Sequence, residues 1–213
     1  MCGMTRAVDV DLAVDLGVHA LGFVLWSKSP RATSVAGAAR LIGALPPFVT
    51  PVGVFVSPSS DEVARAAEAG IRMAQIHGEI PRWAGGVAPV PVLRAVHLAA
   101  GHGAKCEPAA PPGEAVILDA NDPARHGGTG TTIDWAKAAI VAATRRVVLA
   151  GGLTPANVED AIRTVRPYGV DVASGVEERP GIKDHALMRR FVEAVGRAGA
   201  AGGAGRIRGE AGE

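Results

Sequence analysis

The sequence predicts an α/β fold, an eight-stranded parallel (β/α)8 barrel of the TIM type, and three observations predict it. Short apolar runs rich in Val, Ile and Leu alternate with stretches of helical periodicity, the order that builds a parallel sheet covered by helices. The runs are continuous rather than alternating, as strands buried on both faces are. Seven of them occur, at Leu21–Trp26, Val52–Val56, Met73–Ile76, Val90–Val96, Ala115–Leu118, Arg146–Ala150 and Val170–Ala173, and a stub at Met1–Cys2 brings the count to eight.

The helices follow in order between the strands. Val35, Ala38, Ala39 and Ile42 recur at helical spacing. Ser60 is placed to cap Asp61–Ala69, and Gly70 to end it. Between Val96 and Glu114 the chain is rich in Gly and Pro, so the fifth helix is expected to be absent or reduced to a turn. Asp134 caps the next helix. Thr154-Pro155 supplies an N-cap and a first-turn proline for a helix carrying Val158, Ala161, Ile162 and Val165. The last helix presents Leu187, Phe191, Ala194 and Val195 on one face. A chain of 213 residues suits one domain, read as residues 1–197, and the Gly/Ala-rich stretch 198–213 reads as a disordered tail.

Composition excludes several classes of function. With 22 basic against 21 acidic residues and no basic run beside aromatics, nothing points to nucleic acid. No apolar segment is long enough to span a bilayer and no leader precedes the first strand, so the expectation is a cytoplasmic protein, monomer or homodimer. The two cysteines, Cys2 and Cys106, form no Cys-x-x-Cys pair, which argues against a disulfide framework or a zinc site.

Barrel enzymes carry their reactive groups at strand C-terminal ends and in the loops that follow. In barrel order those positions hold Cys2, then Lys28 and Arg31, then Gln75 and His77, then Asp119, then Gly151-Gly152, then Ser174-Gly175. Three glycine-bearing loops, with Gly128 and Gly130, with Gly151 and Gly152, and with Ser174 and Gly175, follow the last three strands. Glycine lets backbone N–H groups approach an anion, and a helix starting near Ser174 would add its positive end. One such loop would be only a tight turn; three at neighbouring strand ends favour a phosphate.

Asp119 ends the apolar run Ala115–Leu118. Partial desolvation there favours the protonated form and a proton donor, while a turn cap with Asn121 and Asp122 is an equal alternative. For Cys2 the two readings are a thiolate base and a small buried hydrophobe, and residue type alone favours the hydrophobe. Arg31, in Ser27-Lys28-Ser29-Pro30-Arg31, has the planar fork that grips a carboxylate, or is a solvated loop cation. His77 and His126 read as hydrogen-bonding loop residues rather than metal ligands.

Taken together, the strings resemble the phosphoribosylanthranilate isomerase family. The resemblance is carried by Cys2-Gly3-Met4-Thr5-Arg6, Leu21-Gly22-Phe23-Val24, Ser27-Lys28-Ser29-Pro30-Arg31, Gln75-Ile76-His77-Gly78 and Leu118-Asp119. It continues through Gly127-Gly128-Thr129-Gly130, Leu149-Ala150-Gly151-Gly152-Leu153-Thr154-Pro155, Ser174-Gly175-Val176-Glu177 and Pro180-Gly181-Ile182-Lys183-Asp184, from Cys2 to about Val195. It implies an Amadori rearrangement of N-(5′-phosphoribosyl)anthranilate, a small phosphorylated aminoaldose, with no cofactor and no metal. By that resemblance Asp119 protonates the ring oxygen and Cys2 removes the C2′ proton. Arg31 holds the anthranilate carboxylate, Asp171 lies near the sugar, and the glycine loops grip the phosphate.

Two features depart from the family. Residues usually precede the cysteine, commonly a lysine and an aliphatic residue, whereas Cys2 here follows Met1, so the first strand is expected to be truncated and the barrel to close with little pairing. Either the true start lies upstream of Met1, the favoured explanation, or Met1 is the start. In the second case the α-ammonium stands within a residue of Cys2 and is expected to replace the lysine in favouring the thiolate. The second departure is the short connection Leu98–Gly113. Two other functions compete: a dual-substrate isomerase that also takes the histidine-pathway aminoaldose, which Cys2 disfavours, and a catalytically idle phosphate-binding barrel.

Overall fold

The computed structural model describes residues 1–98, 110, 111, 113–120 and 133–202. Seven parallel strands stand in sequence order: β1 (Ala20–Val24), β2 (Thr50–Val56), β3 (Met73–His77), β4 (Val92–Leu98), β5 (Val116–Ala120), β6 (Val147–Leu149) and β7 (Gly169–Val170). Helices α1 (Ala7–Asp15), α2 (Val35–Ile42), α3 (Ser60–Glu68), α4 (Trp135–Ala142), α5 (Val158–Val165) and α6 (His185–Gly202) cover them. The eighth barrel strand is the amino-terminal stub. Cys2 N–H donates to the Val172 carbonyl at 2.8 Å just past β7, and Cys2 bridges Gly22 of β1 in parallel. Gly22 N–H donates to Met1 O at 2.9 Å, and Gly3 and Met4 N–H both donate to Gly22 O, at 3.0 and 2.9 Å. Two residues and their neighbours therefore close the ring, so the truncated first strand still joins both edges. The (β/α)8 barrel expected from the sequence is the architecture observed.

Register sorts the side chains into two sets. Val24 pairs with Val54, Val54 with Gln75, Val56 with His77, His97 with Asp119, and Ile117 with Val148. Cross-strand partners and residues two apart share a face. Gln75, His77, His97 and Asp119 therefore lie on one face with Val54 and Val56, and that face is the lumen. Ala95, Ile117 and Ala150 form a small apolar cluster on this face. Leu21, Phe23, Leu118 and Leu149 point the other way, are fully buried, and belong to the main core under the helices.

The caps show where local sequence decides. Ser59, one residue before the expected cap, accepts from Glu62 N–H while Glu62 reaches back to Ser59 N–H, a complete capping box, and Gly70 follows at φ +109°. Asp134 caps α4 as expected, accepting from Lys137 N–H at 3.2 Å. Thr154-Pro155 opens a turn, and α5 begins at Val158, after Asn157 has folded its Oδ1 back onto Thr154 N–H at 2.8 Å. α6 runs on to Gly202, five residues past the expected domain boundary at 197. The rest of the expected tail, and most of the segment where the fifth helix was expected to be reduced, lie outside the described residues.

Two of the elements not expected from the sequence bear on the site. α1 has no side-chain cap, and its Val8-Asp9-Val10-Asp11-Leu12 alternation mimics a strand. Its Asp9 is fully buried and accepts from Arg6 at 2.7 and 2.9 Å, His185 Nε2 lies 2.9 Å from its Oδ1, and Lys183 N–H donates to it at 3.3 Å. Burial pushes the Asp9 pKa up, but the bonds from Arg6 and His185 more than offset it, and the carboxyl sits below its ordinary range. The second is an antiparallel hairpin, β8 (Glu177–Arg179) and β9 (Ile182–Lys183), turning at Pro180-Gly181 with Gly181 at φ +78°. Among the described residues no helix is long and apolar enough to cross a membrane.

Candidate active site

A cavity of about 390 Å³ opens at the C-terminal ends of the strands, a size suited to a drug-sized metabolite. Its lining includes Cys2, Arg31, Asp119, Gly151, Gly152, Asp171 and Ser174, so seven of the ten expected site residues meet in one space. Gly128 and Gly130 lie outside the described residues. Gly175 is placed behind the wall: a Cβ there would overlap the Leu153 carbonyl oxygen. Its glycine is required by the close approach of two loops, the one after β6 and the short 3₁₀ turn Ser174–Val176. Gly151 and Gly152 take the left-handed φ of +77° and +66° that only glycine adopts without strain.

Cys2 is fixed by the backbone bonds that close the barrel. Gly22 leaves room for the thiol, since a Cβ on Gly22 would lie 2.7 Å from Cys2 Sγ. Packing strips water from the sulfur, and the Asp171 carboxylate repels the thiolate; together these outweigh Lys183 and the Met1 ammonium and push the thiol up to about 12. The Met1 ammonium bonds Ala20 O at 2.9 Å and meets Asp171 Oδ1 at 3.4 Å. It therefore lowers the thiol pKa as expected but does not leave Cys2 a thiolate; burial prevails.

Arg31 is not a solvated loop cation. It is 8% exposed, and its Nε and Nη2 hold Glu177 in a two-pronged pair at 2.7–3.0 Å. Among the described residues Nη1 has no partner, which leaves that end of the fork for a ligand. Asp119 is 8% exposed near the end of β5, with His97 as its neighbour in register, and the Asn121 and Asp122 of the turn-cap alternative lie outside the described residues. His77, expected in a loop, ends β3 inside the lumen, buried and 2.9 Å from Gln75 Nε2 through its Nε2.

The sequence reading gave Gln75 no role and passed over Glu177 and Lys183 as functional groups. Gln75 becomes legible only when β3 is placed in register beside β2. Glu177 and Lys183 flank Arg179-Pro180-Gly181, and that Pro-Gly signal marks a turn able to bring the two charges face to face. Trp26, Pro30 and Pro180 complete an apolar side of the cavity beside Val24 and Val54. The cavity lining thus mixes polar groups with apolar side chains. Among the described residues no three His, Cys, Asp or Glu side chains gather closely enough to hold a metal ion.

The chain is similar to known proteins over most of its length. Residues 1–194 match the model of the family described as N-(5'phosphoribosyl)anthranilate (PRA) isomerase. An N-(5'-phosphoribosyl)anthranilate isomerase of Geobacter sp. (strain M21) is 45% identical over 195 residues, covering 90% of this chain and 94% of the relative. The crystal structure of the phosphoribosyl anthranilate isomerase from Thermus thermophilus superposes with a TM-score of 0.80 at 41% identity, over 92% of this chain and 96% of that one. A second structure, at TM-score 0.74 and 33% identity over 92% and 96%, is of such an isomerase in complex with reduced 1-(o-carboxyphenylamino)-1-deoxyribulose 5-phosphate.

Proposed function

Because the chain belongs to the N-(5'phosphoribosyl)anthranilate (PRA) isomerase family, we propose that its cavity rearranges N-(5′-phosphoribosyl)anthranilate into 1-(2-carboxyphenylamino)-1-deoxyribulose 5-phosphate. This is an isomerase of tryptophan biosynthesis, an aldose–ketose conversion that moves protons and leaves the overall redox state unchanged. The observation that carries the reading is one cavity lined by a thiol, a carboxyl group, an oriented guanidinium and glycine-built strand ends.

In this mechanism Asp119 donates a proton to the furanose ring oxygen. The C1′–O bond breaks, and the nitrogen lone pair forms a protonated imine. Cys2 takes the C2′ proton, and the C2′–H electrons flow to nitrogen to give the enolamine, which tautomerises to the ketone. A thiol held near 12 is a weak source of thiolate at neutral pH; the positive charge of the imine formed beside it offsets the burial and favours the thiolate, whose proton passes to solvent before C2′ is deprotonated. The backbone N–H groups around Gly151, Gly152 and Ser174 hold the phosphate, with Gly128 and Gly130 assigned the same duty. Arg31 holds the anthranilate carboxylate, and Asp171 the sugar hydroxyls. The cytoplasm, where a thiol stays reduced, suits such a base.

A turnover assay on freshly made phosphoribosylanthranilate tests the reading, run beside the histidine-pathway aminoaldose. Conversion of the first well above the second is the expected result. Binding of a product analogue without turnover would leave only an idle phosphate-binding barrel. Arg31→Ala should chiefly raise KM, by about tenfold or more, because the carboxylate it holds is present in both ground and transition states. A fall in kcat at unchanged KM would remove Arg31 from that role.

A further inference from the structure

Building on the mechanism above, we propose that Lys183 is a positioning residue whose buried ammonium sets both the seat of Cys2 and, through Glu177, the aim of Arg31. Its Nζ donates to the Cys2 carbonyl at 2.6 Å, to the Ala173 carbonyl at 3.0 Å and to Glu177 Oε1 at 3.0 Å. An ammonium has three hydrogens, and each is used on a different part of the site. One holds the stub that carries the base. One holds the segment after β7 that leads into Ser174. One holds the carboxylate that in turn grips Arg31.

The side chain is fully enclosed, at 0% exposure, and its Glu177 partner at 3%. A buried charge is costly, and packing alone would be served as well by an apolar side chain of the same length. What only the charge supplies is a field at the thiol and an ionised partner for Arg31. The charged groups acting on Cys2 are Asp171, which disfavours the thiolate, and Lys183 and the Met1 ammonium, which favour it. Burial pushes the Glu177 pKa up, yet the bond from Arg31 and the charge of Lys183 hold its carboxyl below the ordinary range. The carboxylate is therefore charged at working pH and keeps the Arg31 fork fixed.

The hairpin that presents these groups is itself pinned. Gly181 N–H donates to Glu177 Oε1 at 3.3 Å, Thr5 Oγ1 donates to Gly181 O, and Lys183 N–H donates to buried Asp9 at 3.3 Å. Glu177 and Lys183 are direct cross-strand partners. One short hairpin thus links the base and the carboxylate clamp through a single cation.

The test compares the full chain with Lys183→Met, Lys183→Arg and Glu177→Gln. Iodoacetamide labelling of Cys2, read by peptide mass, follows its thiolate fraction. At a fixed pH between about 8 and 10, Lys183→Met should slow labelling about tenfold, the equivalent of one pKa unit, while Lys183→Arg recovers most of the rate. Binding is read with two reduced 1-arylamino-1-deoxyribulose 5-phosphates, one with the ortho carboxylate and one without. Glu177→Gln should weaken the carboxylate-bearing compound about tenfold and leave the other within about twofold. An unchanged labelling rate in folded Lys183→Met, or equal loss of both compounds in Glu177→Gln, overturns the proposal. If Lys183→Met does not fold, Glu177→Gln decides by the same criterion. Normal turnover in Cys2→Ala would instead fail the underlying mechanism, and these binding arms would still read.

Discussion

Cys2→Ala is expected to lower kcat by about 10²–10⁴-fold, the usual contribution of a positioned general base, and to leave the barrel folded. In the proposed mechanism removing the sulfur leaves no proton acceptor at C2′, while the bonds that close the ring come from backbone atoms of Met1, Cys2, Gly3 and Met4 and do not involve the thiol. Steady-state kinetics and circular dichroism on the same preparation check both halves. Near-normal turnover would take the base away from Cys2. The pH dependence gives a second reading of the same group. With the free thiol pushed up to about 12, kcat/KM carries no thiol inflection in the range where an ordinary cysteine titrates, near 8.5. A break near 8.5 that vanishes in Cys2→Ala would show an unperturbed thiol. The sign for stability follows too: a raised thiol pKa means folding favours the protonated form, so its contribution is intact below about 8.5 and is lost as pH climbs towards 12.

Asp119→Asn is the other large effect, with kcat again down by about 10²–10⁴-fold. The amide matches the carboxyl group in size and keeps its place at the end of β5, but it has no acidic proton to give the ring oxygen. The two variants fail at different steps. An open-chain aminoaldose, which bypasses ring opening, should be turned over by Asp119→Asn far better than the cyclic substrate, whereas Cys2→Ala should fail on both. Equal loss on both substrates in Asp119→Asn would show that Asp119 acts elsewhere in the sequence of steps.

The sequence made the strands legible because parallel strands buried on both faces leave unbroken apolar runs, and β1 to β6 fall within a few residues of the expected positions. That Cys2, Arg31, Asp119, Gly151, Gly152 and Ser174 would meet in one space was legible through their place at strand ends, and Asp171 through the motifs around it. Physics alone left Cys2 and Arg31 undecided, since burial of a thiol and the partner of a guanidinium depend on chain segments remote in sequence. Arg31 meets Glu177 across 146 residues, and Lys183 meets Cys2 across 181. No local pattern encodes such a pair. α1 was hidden for a local reason, an apolar–acidic alternation with the period of a strand. The cap at Ser59 was displaced by one residue because Ser59 and Ser60 are equally able oxygen acceptors and only the reach of Glu62 chooses between them.

The pleat that separates lumen from shell has an evolutionary corollary. Val54, Gln75, His77 and Ala150 shape what the cavity admits, while Leu21, Phe23, Leu118 and Leu149 secure the scaffold from the opposite side of the same strands. Selection can therefore rewrite preference among aromatic amines at the first set with small thermodynamic penalty, and drift in the second set without disturbing chemistry. Cys2 and Gly22 are the exception: there the proposed base and the seam coincide, and neither is free to diverge alone.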